Sequence, residues 1–236
     1  NGLMVGNPGA HLTTGNSLTI GLSYQALRRL VEKRGQKLSE LRVGIVGVAG
    51  NICNVYAQMI ADEAGSLTLV HREPLETSPK FQAAIRSVLE NSEISLERIK
   101  ASSSIDDLID CDVVILGTNS SKQIILPEHL KRDALVVDIS VPSNIHPSVF
   151  TARPDVECFQ GGYARLPLGQ RLTSGMVPVP HGEVFACMAE TVTVGLLNDD
   201  GNFSYGTLSK LKVLESLVMA REVGIELGSL KKMASF

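Results

Sequence analysis

Between Arg42 and Phe159 the chain alternates short apolar runs with helix-like segments. "RVGIVG" is followed by "NICNVYAQMIADEAG", "SLTLVHR" by "SPKFQAAIRSVLEN". A weak strand near Ile99 leads into the short helix "SIDDLIDC". Then come the strand "DVVILG", the helical turn "PEHLKR", the strand "ALVVDIS" and a further short run, "VECF". Apolar strands without in-out alternation must be covered on both faces, and helices between them serve as the crossovers of a parallel sheet. This pattern excludes an all-helical or all-β architecture.

At 236 residues and 44% hydrophobic content the chain can form a main domain with a smaller appendage. Upstream, "TTGNSLTIGLSYQALRRLVEKRG" reads as an amphipathic helix of about five turns. It sets Leu27, Leu30 and Val31 on one face, turns basic at its end and stops at Gly35. Downstream, "GGYARLPLGQRLTSGMVPVPHG" has the Gly and Pro content of a loop or hairpin. Two helices follow, around "EVFACMAETVTVGLL" and "LSKLKVLESLVMAREVG", joined by "NDDGNFSYG", and they are expected to pack beside the first helix. The expected division is therefore 1–40 with the C-terminal helices, a sheet domain over 41–160, and 161–236 as loop and helices.

Net charge is -3 without a basic stripe, which argues against nucleic acid as a partner. Cys53, Cys111, Cys158 and Cys187 stand apart, with no C-x-x-C and no His at ligand spacing. That excludes the common metal patterns and reads as reduced thiols in a cytoplasmic chain. No apolar run reaches the roughly 18 residues of a membrane span. The opening "NGLMVGNPGAHLTTGN" has the character of neither a signal peptide nor a tag and reads as mid-protein sequence.

The first strand ends in "VGVAGNI". Gly47 and Gly50, with Ala49, Asn51 and Ile52, form a strand-to-helix turn where backbone N–H groups can approach a pyrophosphate. In that context the α/β alternation becomes a Rossmann-like, doubly wound nucleotide-binding fold; an ordinary strand-to-helix turn is the alternative. The second strand ends in His71 and Arg72, roughly 20 residues on, where an acid usually binds the ribose of NAD. Arg72 instead suits a 2′-phosphate and favours NADPH, although Glu73 stands next to it. Thr118, Asn119 and Ser120, in "GTNSS" after the fourth strand, face the same crevice as candidate partners of the ribose or nicotinamide; small polar residues are also ordinary turn formers. "VPSN" after the fifth strand lies on the same rim, and Gly161 and Gly162 in "QGGYA" can let backbone approach the nicotinamide or form a plain turn.

Cys187 falls near the start of a helix, just behind "MVPVP". There the helix dipole is expected to lower its pKa and raise the thiolate fraction, which makes a nucleophile for acyl thioesters. Alternatively, Val184, Cys187, Met188 and Leu196 share an apolar face, and Cys187 is a small core hydrophobe. His181 is close in sequence and can serve as an acid or base or as a plain loop residue. None of Tyr24, Tyr56, Tyr163 and Tyr205 is followed four residues later by Lys, so the proton-donating pair of short-chain alcohol dehydrogenases is absent.

Taken together, "HLTTGNSLT", "VGIVGVAGNI", "VFACMAET" and "NFSYG", in this order, resemble the aldehyde-forming long-chain acyl-(acyl carrier protein) reductases of cyanobacteria. The similarity runs from near Gly6 to the end of the chain. It implies Cys187 as the acylated nucleophile, NADPH as reductant bound through Gly47, Gly50, Asn51, Ile52 and Arg72, and a ping-pong route to a fatty aldehyde. The chain departs from that family in lacking its N-terminal acyl-holding region, in His181 and Gly182 before the cysteine, and in the polar loop "DISVPSNI". The expected partner is an acyl carrier protein or coenzyme A thioester. Two other readings fit the same nucleotide fold: a non-covalent carbonyl or hydroxy-acid oxidoreductase, and a non-catalytic NADP-binding module.

Overall fold

A computed structural model describes residues 12–167, 179, 182–197 and 201–233. The chain divides into two compact units, one of Leu27–Gly161 with the described residues from Leu230 on, the other of the described residues up to Ala26 with those of Gly162–Ser229. Helix α1, Asn16–Lys33, contributes its first part to the second unit and its last part to the first. This differs from the expected boundary near residue 40. The helix is continuous, and its apolar residues on both sides of Ala26, Leu18 and Ile20 before it and Leu27 and Leu30 after it, are buried.

The larger unit is a six-stranded, all-parallel sheet in the order β3-β2-β1-β4-β5-β6. Its strands are β1 Arg42–Val46, β2 Ser66–Val70, β3 Ile99–Ser102, β4 Val113–Leu116, β5 Leu135–Asp138 and β6 Glu157–Gln160. Helices α2 Asn51–Ile60, α3 Pro79–Glu90 and the short α4 Ser148–Ala152 join them, with 3-10 turns at Leu96–Arg98, Ile105–Asp110 and Pro127–His129. β4 and β5 are buried at every position, as strands covered on both faces must be. Each fully buried Val, Leu or Ile contributes about 1.5–3 kcal/mol. One core cluster gathers Leu108, Val114, Leu116, Ile125, Val136 and Val149. The start of α3 is set by Ser78, whose hydroxyl accepts the Phe81 N–H at 3.4 Å, followed by Pro79 in the first turn.

The smaller unit carries a three-stranded antiparallel sheet, β8-β7-β9, built from β7 Tyr163–Arg165, β8 Glu183–Phe185 and β9 Glu226–Leu227. β7 and β8 pair antiparallel, Tyr163 with Phe185, Ala164 with Val184 and Arg165 with Glu183. Buried Glu183 ties this sheet to the chain after β9, accepting from the Ser229 N–H at 2.7 Å and from its hydroxyl at 2.9 Å. Two helices, α5 Ala186–Leu197 and α6 Lys210–Glu222, pack on each other, and Gly21 of α1 lies against Leu217 of α6. Among the described residues no helix is long and apolar enough to cross a membrane.

Candidate functional site

In the larger unit the strand order reverses between β1 and β4, the point at which sheets of this topology open a ligand crevice. The predicted nucleotide turn lies there. Gly47 takes φ +93, and a side chain on it would come within 3.1 Å of the Gly117 carbonyl and 3.2 Å of Thr118 Cγ2. The turn closes through the Gly50 N–H on the Gly47 carbonyl at 2.8 Å, and Gly50 is the N-cap of α2 without a side chain in the way. The first-turn N–H groups of Asn51, Ile52 and Cys53 have no partner within the helix, and Gly50 and Asn51 are exposed. A bare, positively polarised helix start bordered by glycine fits a pyrophosphate.

His71 and Arg72 follow directly on β2. His71 is three-quarters or more covered, with its ring 5.4 Å from that of Phe81. Its Nε2 is buried without a hydrogen bond, 3.7 Å from a Glu73 oxygen. The Arg72 side chain is 85% exposed, with Nε 3.5 Å from Glu73. Glu73 accepts from the Ser78 hydroxyl at 2.9 Å, and that bond, with Arg72 and His71 nearby, holds its carboxyl below the usual range. Glu73 is thus engaged with its own turn.

The loop after β4 is braced by the loop after β5. Thr118 donates its hydroxyl to Asn144 at 2.6 Å and accepts the Ser120 N–H at 3.1 Å, while Ser120 accepts the Lys122 N–H at 3.0 Å. Asn119 is exposed. The brace is anchored on Asp138, fully buried, which accepts the N–H groups of Ser140 and Asn144, each at 2.9 Å, and the Ser143 hydroxyl at 2.7 Å. Burial pushes the Asp138 carboxyl up, and these donors pull it back. Of the three residues expected to meet the ribose or nicotinamide, Asn119 presents its side chain outward, while Thr118 and Ser120 use their hydroxyls to shape the loop.

In the smaller unit Cys187 is the second residue of α5 and is exposed, whereas Cys53, Cys111 and Cys158 are buried. Core packing is therefore not its role. Val184 belongs to β8 rather than to the helix, and Leu196 is 65% exposed, so the apolar face expected from spacing does not form. The expectation of a lowered pKa is also corrected. Partial desolvation pushes the Cys187 thiol above its ordinary value; hydrogen bonds from the backbone N–H groups of Met188 and Cys187 pull it down, and the Glu190 carboxylate adds to the rise. Burial pushes Cys53 and Cys158 further, up to about 12. His181 lies outside the described residues.

The start of α5 is fixed by the Ala186 N–H, which donates to the Gly162 carbonyl at 2.7 Å. Gly15 takes φ +73 directly against Cys187. A side chain on Gly15 would fall 2.4 Å from Cys187 Cβ. Sequence reasoning passed over Gly15 and Glu190. Among the described residues no group of three His, Cys, Asp or Glu side chains could hold a metal ion.

A family model for shikimate / quinate 5-dehydrogenase matches residues 29–159. The chain belongs to this family. Its shikimate/quinate dehydrogenase-type segment coincides with the larger unit, and the nucleotide of this domain type is NAD(P). The larger unit is accordingly an NAD(P)-dependent oxidoreductase-type Rossmann domain. The segments around Thr13 and Cys187 lie outside the match. Over 215 residues the chain is 27% identical to the aminotransferase PigE of Serratia sp. (strain ATCC 39006), covering 90% of this chain and 24% of that one. It thus spans about a quarter of that relative's length. Among solved structures, the shikimate 5-dehydrogenase of Listeria monocytogenes in complex with shikimate and NAD is 10% identical, with a TM-score of 0.39 over 51% of this chain and 45% of that one. The glutamyl-tRNA reductase of Methanopyrus kandleri is 22% identical, with a TM-score of 0.44 over 58% and 34%. Both are likenesses of fold.

Proposed function

We propose that the protein reduces an acyl thioester, delivered on an acyl carrier protein or coenzyme A, to an aldehyde through an acyl-Cys187 intermediate. The observation that carries this reading is the presentation of Cys187. It is the exposed thiol among the described cysteines, and it stands in the first turn of α5. In the acylation step the Cys187 sulfur bonds to the thioester carbonyl carbon, the carbon–sulfur bond to the carrier breaks, and the carrier leaves as a thiol. The N–H groups of the first turn of α5 can stabilise the oxyanion that develops. Bound NADPH would supply a hydride to the acyl carbon; with one proton, the carbon–sulfur bond to Cys187 would break, giving the aldehyde and the free Cys187 thiol. Gly47, Ala49, Gly50, Asn51 and Ile52 would hold the pyrophosphate and Arg72 the 2′-phosphate. An aldehyde is also a carbonyl of the kind aminotransferases consume, which suits a relative named as one.

A non-covalent reduction of a free carbonyl is the second reading. It is favoured by the family match, which takes in the nucleotide unit and leaves out Cys187. The two separate on intact mass after mixing with butyryl-CoA in the absence of NADPH, followed by peptide mapping. A butyryl adduct on Cys187 that is lost on adding NADPH, with butanal appearing, supports the covalent route. No adduct on protein that binds NADPH, with turnover of free carbonyls insensitive to thiol alkylation, overturns it.

The exposed Arg72 carries the choice of nucleotide. Arg72→Ala is expected to raise the KM for NADPH by about 10–100-fold, the value of a charge-assisted hydrogen bond, and to leave that for NADH within about twofold. Steady-state kinetics with both nucleotides read this directly; an equal change in both KM values would remove Arg72 from the 2′-phosphate.

A further inference from the structure

Glu190 is the lone charged residue between Phe185 and Leu197 and is 1% exposed. A carboxylate in such a place needs donors, and it finds them on another helix. One oxygen accepts the Leu18 N–H at 2.6 Å, and the other accepts the Thr13 hydroxyl. Gly15, the residue before α1, has no side chain to cap the helix, and α1 has no acid in its first turn. Glu190 supplies both, placing a negative charge at the positive end of α1. The same segment is fastened from a second side. The Thr14 hydroxyl donates to the Ser204 carbonyl at 2.7 Å, and the Ser17 and Ser204 hydroxyls bond at 2.5 Å.

The turn held in this way is the one that lies on Cys187. Glu190 follows Cys187 by one helical turn, so one element carries both the thiol and the anchor of the surface beside it.

We propose that Glu190 is a positioning residue for the Cys187 thiol, a role that rests on the acyl-transfer reading. By binding the start of α1 it clamps Gly15 against the Cys187 backbone and fixes the wall beside which an acyl thioester lies. Its charge also acts on the thiol itself. Residues 12–18 and 202–204 bring hydroxyls and amides to this turn but no charged side chain, and Glu183 on β8 is engaged by Ser229.

The test is Glu190→Gln in the full chain. Gln keeps the volume and the acceptor for the Leu18 N–H and can turn its NH2 to the Thr13 hydroxyl, but it removes the charge that holds the positive end of α1. The rate of Cys187 butyrylation by butyryl-CoA, compared at equal thiolate fraction, is expected to fall by roughly 10–100-fold. The pH midpoint of Cys187 alkylation by iodoacetamide is expected to move to lower pH, because a negative charge has been removed, and NADPH affinity should stay at the parent value. A purely structural role would not move that midpoint. Should Glu190→Gln fail to fold, Thr13→Val removes one arm of the clamp and is expected to slow butyrylation several-fold, by roughly the worth of one hydrogen bond, with Thr13→Ser restoring it. Parent butyrylation rates and an unmoved alkylation midpoint in folded Glu190→Gln, or a parent rate in Thr13→Val, would overturn the proposal. If the parent protein takes up no butyryl group, the thioester reading fails, while the alkylation midpoint still reports on the pairing of Glu190 with Cys187.

Discussion

Cys187→Ala is expected to abolish aldehyde formation, by about three orders of magnitude or more, while NADPH affinity stays at the parent value. The sulfur is the atom that bonds to the acyl group, and no other described cysteine is exposed to replace it. The nucleotide turn, by contrast, belongs to the other unit. Because Cys187 is exposed, removing its sulfur should change stability by less than about 0.5 kcal/mol, so lost activity cannot be put down to lost fold. The pH dependence follows from the direction of the thiol shift. A pKa raised by partial desolvation leaves Cys187 mainly protonated at neutral pH. The thiolate is the attacking form, so the butyrylation rate should climb by about tenfold per pH unit from pH 7 toward the thiol pKa. Butyrylation that is flat over this range would mean that the thiol is ionised by a partner. Undiminished aldehyde formation by Cys187→Ala would remove the covalent step.

The sheet was legible because its signal is local. Apolar runs such as "DVVILG" and "ALVVDIS" have no in-out alternation, and each became a strand buried at every position. The nucleotide turn was legible for the same reason: Gly47 and Gly50 stand between a strand and a helix in the sequence itself. The features that escaped depend on distant residues. Asp138 reads as the last residue of a strand; its place as anchor of the 140–144 loop shows only when its donors are counted. β9 is two residues long, Glu226 and Leu227, and exists because β7 offers an edge to pair with. Spacing suggested a buried face through Val184 and Cys187. In the structure the strand-to-helix boundary falls between Phe185 and Ala186, so the helical period cannot be counted across it. Glu190 did leave a trace, as one carboxylate in an otherwise uncharged helix. Such a charge must be paired, but the sequence does not name the partner.

Gly15→Ala is expected to be the most damaging substitution in the smaller unit that leaves every reactive group in place. Two costs combine. Its φ of +73 lies in the left-handed region, which costs a residue with a side chain about 1–2 kcal/mol. The added methyl would also sit 2.5 Å from Cys187 Cα and 2.7 Å from its carbonyl oxygen, inside contact distance of backbone rather than of a yielding side chain. Overpacking of this kind costs a further 1–3 kcal/mol or so. The α1 turn and the Cys187 backbone must therefore separate, and a misplacement on the order of 1 Å is enough to slow acyl transfer by about a hundredfold. Gly35→Ala separates the two costs. Gly35 has φ +66, but no atom lies within 4 Å of the position its side chain would take. It should lose stability of about 1–2 kcal/mol in thermal unfolding and keep the parent rate of Cys187 butyrylation. If Gly15→Ala does the same, the close approach of Gly15 is a packing detail. If its butyrylation collapses while Gly35→Ala keeps its rate, the geometry of the thiol is set by the turn that lies on it.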